Sequence, residues 1–388
     1  MACNKCRPGD HRMFAKQSEK PFTNRVGLDI GTHSVTGVEV VQRGSEIVIH
    51  SASSVAIPDD RNTYASVTHA IKNLWNTAGF RSKKVLVALP SAAVYAKWLN
   101  LEAQDEEELA NTARTAATRG APFPASDAIV DYRVLSSKNI NGKNVYLTML
   151  VAASAAAVEQ LLNTVESAGL DALAVDIESA ATTRIYGAQK HTISHLWSGQ
   201  PQAHCQIGAN STLITVSRAG ALEFARAVPV GGNDFTTCIS ETLQINSVEA
   251  EKIKLAPGCR LTAEGELIAS HAGEQVRVPC ESVVSRLARE MDRSFKYFRS
   301  QFAEGSYLGM TGAATLSGGG ALLRGIDSCL ERQGLEIAGI VNPFAGLSVA
   351  AEGKGVSDVA DTAAQYTTAV GLALADHWSE SAERQIAA

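Results

Sequence analysis

The sequence predicts an α/β protein of two related lobes, with a small α+β module inserted in the first. Three observations carry that prediction. A strand, glycine turn, strand pattern occurs twice, at Arg25–Thr36 and at His204–Ile214; short continuous apolar runs alternate with amphipathic helices; and one strand, from Ala314, runs into the consecutive glycines Gly318, Gly319 and Gly320. With 388 residues, 45% of them hydrophobic, the chain can bury more than one core.

Residues 1–24 are polar and read as a disordered leader. Within it Cys3-x-x-Cys6 and His11 lack a fourth ligand at zinc spacing. The first lobe, expected over 25–90 and 171–202, opens with the first hairpin and a further strand at 46–56. In the helix expected over Tyr64–Ala78, Ala65, Ala70, Ile71, Leu74 and Trp75 share one face. Lys84–Leu89, stopped by Pro90, reads as a buried parallel strand with that helix as its crossover.

The insert, expected over 91–170, offers a strand at 93–99, a helix at 105–118 with an acidic first turn, a break at Ala121-Pro122-Phe123-Pro124, a strand at 145–152 and a helix at 155–168 ending on Gly169. The first lobe resumes with a strand at 173–177 and a helix at 179–186. The second lobe, expected over 203–364 with a smaller subdomain near 235–310, continues from its hairpin to a strand at 221–229. Gly231-Gly232 leads into a helix at 234–243, followed by a short charged helix at 249–255. A long helix over 282–302 buries Leu287, Met291, Phe295 and Phe298. The three glycines are expected to lead into an amphipathic helix, and a C-terminal helix over 365–388 to close the first lobe.

The turns suit an anion. Glycine lets the main chain approach closely, and successive backbone N–H groups then converge on a negative group. Gly31 with Thr32, and Gly208 with Ser211 and Thr212, meet that need. Asp29, just before the first turn, can hold the waters of Mg²⁺, which keeps most of its hydration shell and prefers oxygen partners. The second copy has Gln206 at that place; it cannot supply a second anion, although its amide can bond a water or a phosphate oxygen. The three glycines leave bare backbone on which a base or ribose can lie, and equally read as a flexible loop.

This ordered set resembles the actin-like ATPase superfamily and, within it, the PilM family of type IV pilus assembly, with FtsA next. The resemblance rests on Gly27–Val40, Val175–Ala181, Ala227–Asn233, Glu249–Lys254, the triple glycine and Val341-Asn342-Pro343-Phe344. It implies an actin-like (ribonuclease H-like) duplicated fold with an FtsA/PilM-type insert, and ATP with Mg²⁺ as cofactors. Asp29 would serve the metal, and Glu178 would be catalytic by positioning water. The cofactor would be held by Asp29, Gly31, Thr32, His33, Ser34, Gly208, Ala209, Ser211, Gly232, Glu251, Lys254, Gly318, Gly319 and Gly320. Glu251 and Lys254 would flank ribose and adenine; read alone they are an i,i+3 ion pair, and Glu178 alone is an acid at a helix N-terminus.

The resemblance implies a lysine, common in PilM-like proteins, where Thr36 stands and the usual acid where Gln206 stands. Losing positioned charges costs on the order of a hundredfold in rate or more, so ATP binding with weak or absent hydrolysis is expected. The partner implied is the cytoplasmic N-terminal tail of a PilN-like inner-membrane protein, gripped between the first lobe and the insert, with self-association left open. The location expected is cytoplasmic, peripheral to the inner membrane through that partner.

A net charge of −5 gives no footprint for nucleic acid. Seven scattered cysteines form no disulfide framework. The longest apolar stretch falls short of the roughly 20 residues that span a bilayer. Two other functions compete. An FtsA-like division protein would need a membrane-binding tail, and the tail after Ala375 is short and acidic. A small-molecule kinase would need an acceptor pocket, and the insert speaks against it.

Overall fold

The computed structural model describes residues 24–43, 46–58, 63–188, 200–218, 220–303, 309, 311–354 and 359–375. The leader with Cys3 and Cys6, the acidic tail and most of the expected C-terminal helix lie outside them.

The first sheet is built from β1 (Asn24–Ile30), β2 (Ser34–Arg43), β3 (Glu46–Ala56), β4 (Lys84–Leu89) and, after the insert, β8 (Asp171–Ile177). Helix α1 (Tyr64–Ala78) crosses from β3 to β4. It buries Val67, Ala70, Ile71 and Leu74 against Val26 and Leu28 of β1. Ala65, expected on that face, is exposed, because it sits in the first turn, beyond the sheet's reach. Thr63 caps α1, and Gly79 closes it in the left-handed conformation that glycine adopts without strain.

The insert consists of β5 (Val94–Glu102), α2 (Glu106–Gly120), β6 (Ala128–Ile140), β7 (Lys143–Ser154) and α3 (Ala155–Ser167). Its antiparallel sheet runs β5-β7-β6. Asp105 caps α2 by accepting from the Glu108 amide at 2.8 Å, so the acidic turn sits at the positive end of the helix dipole. One face of the sheet packs on α2 through Leu150 and Ala152; Met149, Val151 and Ala153, on the other face, pack with Leu89 and Ile177 of the first sheet and Leu222 of the second lobe. Helix α3 belongs to both neighbours: Val158 joins this second cluster, and Val165 packs with α1.

After β8, helix α4 (Glu178–Ala188) leads toward the second lobe, where β9 (Gln202–Ile207), β10 (Thr212–Arg218) and β11 (Ala221–Val228) form the second hairpin and its neighbour. Helices α5 (Gly232–Leu243) and α6 (Ser247–Lys254) follow, then a small antiparallel sheet of β12 (Arg260–Leu261), β13 (Glu266–His271) and β14 (Glu274–Pro279). Helix α7 (Glu281–Arg299) buries Leu287, Met291 and Phe298 as expected, with Phe295 half-buried beside them. Strand β15 (Ala314–Ser317), helix α8 (Ile326–Arg332) and β16 (Ile337–Ile340) complete the lobe. The triple glycine does not lead straight into the amphipathic helix: a 3-10 turn over Gly319–Leu322 intervenes.

Duplication is explicit in the sheets. The first runs β3-β2-β1-β4-β8 and the second β11-β10-β9-β15-β16, each with two antiparallel pairings followed by two parallel ones. The chain then returns to the first sheet earlier than the expected boundary at residue 364. Strand β17 (Ser348–Lys354) pairs with β3, and Val341 and Phe344 already pack with first-lobe residues. Helix α9 (Thr367–Ala373) closes that lobe on β1 and α4.

Two glycines permit this closure. A Cβ on Gly27 would lie 2.0 Å from the Ala369 carbonyl oxygen of α9, and one on Gly371 would lie 1.8 Å from that of Ala181 on α4. Both are far inside contact distance, so strand and helices meet backbone to backbone. The Arg25 Nε donates to the Ala373 carbonyl at 2.7 Å and so caps α9 where its dipole is negative.

Candidate functional site

The two hairpin turns are closed alike. The Gly31 amide donates to the Ser34 carbonyl at 3.0 Å, and the Gly208 amide to that of Ser211 at 2.9 Å. Position by position, Asp29 therefore answers to Gln206 and Gly27 to His204. The strands alternate: Val26 and Leu28 face the α1 core, Cys205 and Ile207 face the second-lobe core, and Gly27, His204 and Gln206 between them face helices α4 and α9.

Across that gap the N-terminus of α4 supplies Glu178. Its Oε2 accepts from the Ser91 amide at 3.0 Å, and its Oε1 accepts from the Gln206 Nε2 at 2.8 Å. The Gln206 Oε1 in turn accepts from the Thr368 hydroxyl of α9 at 3.1 Å. The sequence left this amide free for a water or phosphate; the structure spends it on Glu178 and Thr368 instead. Gln206 is buried.

Burial, and then the nearby charge of Glu178, push Asp29 up to about 7. Its partner across the hairpin is the neutral Thr36, which bonds Ser54 at 3.1 Å, so the cross-strand position does nothing to offset those two effects. Burial also raises Glu178, although the bonds from Ser91 and Gln206 partly hold it down.

Below Gln206 lies a second polar contact between lobes. The Tyr186 hydroxyl on α4 meets the His204 Nδ1; that nitrogen is also 3.0 Å from the Thr315 hydroxyl, and the His204 Nε2 is 2.8 Å from the Ser317 hydroxyl. Burial drives His204 down to about 3, so it is neutral. No motif in the sequence marked His204 or Tyr186.

The triple glycine meets the second hairpin, but its members differ. Gly318 has φ +83° and a Cβ there would lie 2.4 Å from the Ile207 carbonyl oxygen; on Gly320 it would lie 2.4 Å from the Ile207 Cγ2. Only Gly319 faces open space, so the bare backbone expected of all three exists at one, and the other two serve packing.

Gly231 and Gly232 close the other side of the second turn. The Gly232 and Asn233 amides donate to the Gly208 and Ala209 carbonyls at 2.9 and 2.8 Å, which uses the first N–H groups of α5 internally. The Lys254 Nζ pairs with the Glu251 Oε2 at 2.6 Å and donates to the Gly232 carbonyl at 3.0 Å and the Thr236 hydroxyl at 2.8 Å. Glu251 and Lys254 thus form the i,i+3 ion pair and stand beside Gly232.

Contacts therefore link Glu178 to Gln206, Gly318 and Gly320 to β9, and Gly232 and Lys254 to the Gly208–Ala209 turn, while Asp29 lies within electrostatic reach of Glu178, with Gly31, Thr32, His33 and Ser34 on the turn that follows Asp29. The donor set fits an anionic ligand: the amides of His33, Ala209, Asn210 and Gly319 have no acceptor among the described residues. Among those residues no three His, Cys, Asp or Glu side chains group to hold a metal, so a cation here would lean on Asp29, water and ligand oxygens.

A family model for the type IV pilus assembly protein PilM matches residues 27–377. The solved structure of a PilM–PilN type IV pilus biogenesis complex is similar at a TM-score of 0.73 and 23% identity, covering 90% of this chain and 97% of that one. Ethanolamine utilization protein EutJ from Carboxydothermus hydrogenoformans matches at a TM-score of 0.48 and 15% identity over 93% of this chain and 92% of its own. MreB 5 of Spiroplasma citri bound to AMPPNP matches at 0.48 and 14% over 94% and 99%. No curated protein matches in sequence. Among the described residues no helix is long and apolar enough to cross a membrane.

Proposed function

The chain belongs to the PilM family of type IV pilus assembly proteins, and from that premise we propose that it is a cytoplasmic actin-fold scaffold that binds a nucleotide and grips the cytoplasmic tail of a PilN-like inner-membrane protein. The observation that carries the reading is the family match over residues 27–377, with a fold shared along 97% of a PilM solved in complex with PilN. The groove proposed for the tail runs between the first lobe and the insert, where main-chain bonds and a few side-chain pockets would give affinity.

The amides of His33, Ala209, Asn210 and Gly319, which meet no acceptor among the described residues, support phosphate binding, with Asp29 holding a hydrated Mg²⁺ and Glu251 with Lys254 beside the sugar. A bound Mg–ATP would supply a polarised γ-phosphate. On the chain's side Glu178, the proposed water-positioning acid, already accepts from Ser91 and Gln206, and Gln206 offers no charge. Weak or absent hydrolysis follows, with nucleotide acting as a structural ligand.

The test is titration of the full chain with a peptide copying the cytoplasmic N-terminal tail of a PilN-like inner-membrane protein, alongside ATP titration and steady-state turnover. Saturable tail binding with little turnover is expected. Sustained ATP consumption that phosphorylates a small acceptor, or no tail binding in any nucleotide state, overturns the reading.

A further inference from the structure

Strand β9 sets His204 and Gln206, two residues apart, on the face that meets α4, while Cys205 and Ile207 point into the second-lobe core. Helix α4 answers with Glu178 at its first residue and Tyr186 eight positions on, so two polar pairs join it to β9: Glu178 with Gln206 and Tyr186 with His204. Thr368 adds α9 to the first pair. Gln206, His204, Tyr186 and Thr368 are all buried. Both helices belong to the first lobe by packing, as Gly27 and Gly371 show.

We propose that Gln206 is a neutral latch that holds the two lobes closed without nucleotide, by donating to Glu178 and accepting from Thr368 across the gap. A carboxylate at this position would stand against Glu178 with Asp29 close by, and three acids would need a cation between them to stay together. The amide removes that requirement and converts the acid of the first lobe into a hydrogen-bond acceptor for the second. The scaffold is then held in one shape whether or not a nucleotide is present. The inference rests on the proposed reading of the gap as a nucleotide site only in stating what does not need to close it.

The test is hydrogen exchange on the full chain without nucleotide, followed in residues 178–186 and 202–207. Q206E, which sets two carboxylates face to face, is expected to speed exchange in both segments about tenfold or more. E178Q keeps an amide-to-amide bond and is expected within about threefold of wild type, as is the exchanged pair E178Q/Q206E. Wild type is expected to be equally protected with and without Mg–ATP. Normal protection in Q206E, failure of the exchanged pair to restore it, or wild-type exchange in these segments slowing about tenfold on adding Mg–ATP each overturns the latch. Should Q206E not fold, Q206A decides: it removes the bond without adding charge, and unchanged protection refutes the proposal. Tail and nucleotide binding are measured separately, so failure of the functional reading and failure of the latch remain distinct.

Discussion

Strand β1 presents Gly27 and Asp29 to helices α4 and α9, whereas β9, its counterpart in the second lobe, presents His204 and Gln206 to the same two helices. On the first side glycine lets α9 rest on the strand itself, and the acid stands at the mouth of the gap. On the second side two polar side chains fill the space and bind the helices through hydrogen bonds. One hairpin plan has thus produced a packing surface with a charge and a neutral seam. Contact made by removing a side chain tolerates no addition, while contact made by hydrogen bonds tolerates exchange of partners.

The largest effect should come from the packed side. Gly27→Ala or Gly371→Ala forces a methyl into backbone at 2.0 or 1.8 Å, and urea unfolding should show a loss of about 4 kcal/mol or more. The matching change in β9, His204→Ala, removes the Ser317 and Tyr186 partner and leaves a cavity; the same measurement should give about 3 kcal/mol. If His204→Ala proved the more costly of the two, the contrast between packed and bonded sides would be wrong.

Gly320→Ala, which meets the Ile207 Cγ2 at 2.4 Å, should cost about 2 kcal/mol by overpacking.

Asp29→Asn sharpens the electrostatic half of the comparison. A carboxyl raised from 3.8 to about 7 binds its proton more tightly folded than unfolded, so its stabilising contribution is complete below about pH 4 and is lost as pH rises to about 7. The neutral variant escapes that loss. It should be more stable than wild type at pH 8 by about 1–2 kcal/mol, less than a full three-unit shift implies because Asp29 keeps some access to solvent, which screens part of the effect, and the gap should close near pH 4. Paired melts at the two pH values check it.

The smallest effect belongs to Gly319→Ala. Nothing lies within 4 Å of the added methyl, so stability should stay within about 0.5 kcal/mol, while ATP affinity, measured by titration, should fall if Gly319 lines the nucleotide. Gly319→Ala and Gly320→Ala together ask which glycine serves the ligand and which the fold.

Much of this fold was legible because local pattern and tertiary role agreed. The expected strand over 46–56 and helix over 64–78 match β3 and α1 to the residue, since alternation and a 3.6-residue period agreed with the packing, and Thr63 and Gly79 cap the helix at those ends. Strand β6 and the small sheet β12–β14 gave no such signal. In Ala128–Ile140 polar residues fall on both faces, and pairing with β7, rather than periodicity, makes it a strand. Strand β17 was unreadable for a related reason: its partner β3 lies some three hundred residues earlier.

Residue identity and periodicity alone carry the duplication, the order of the three glycine turns and the neutral Gln206 where the first copy has Asp29, because these are local properties that a chain carries openly. What those residues do is settled in the folded molecule. Gly27, Gly318 and Gly320 turn out to serve close packing, Lys254 to reach Gly232 and Thr236 beyond its local pair with Glu251, and Gln206 to join two lobes, since each role depends on which atoms arrive from distant segments and no local pattern records an arrival.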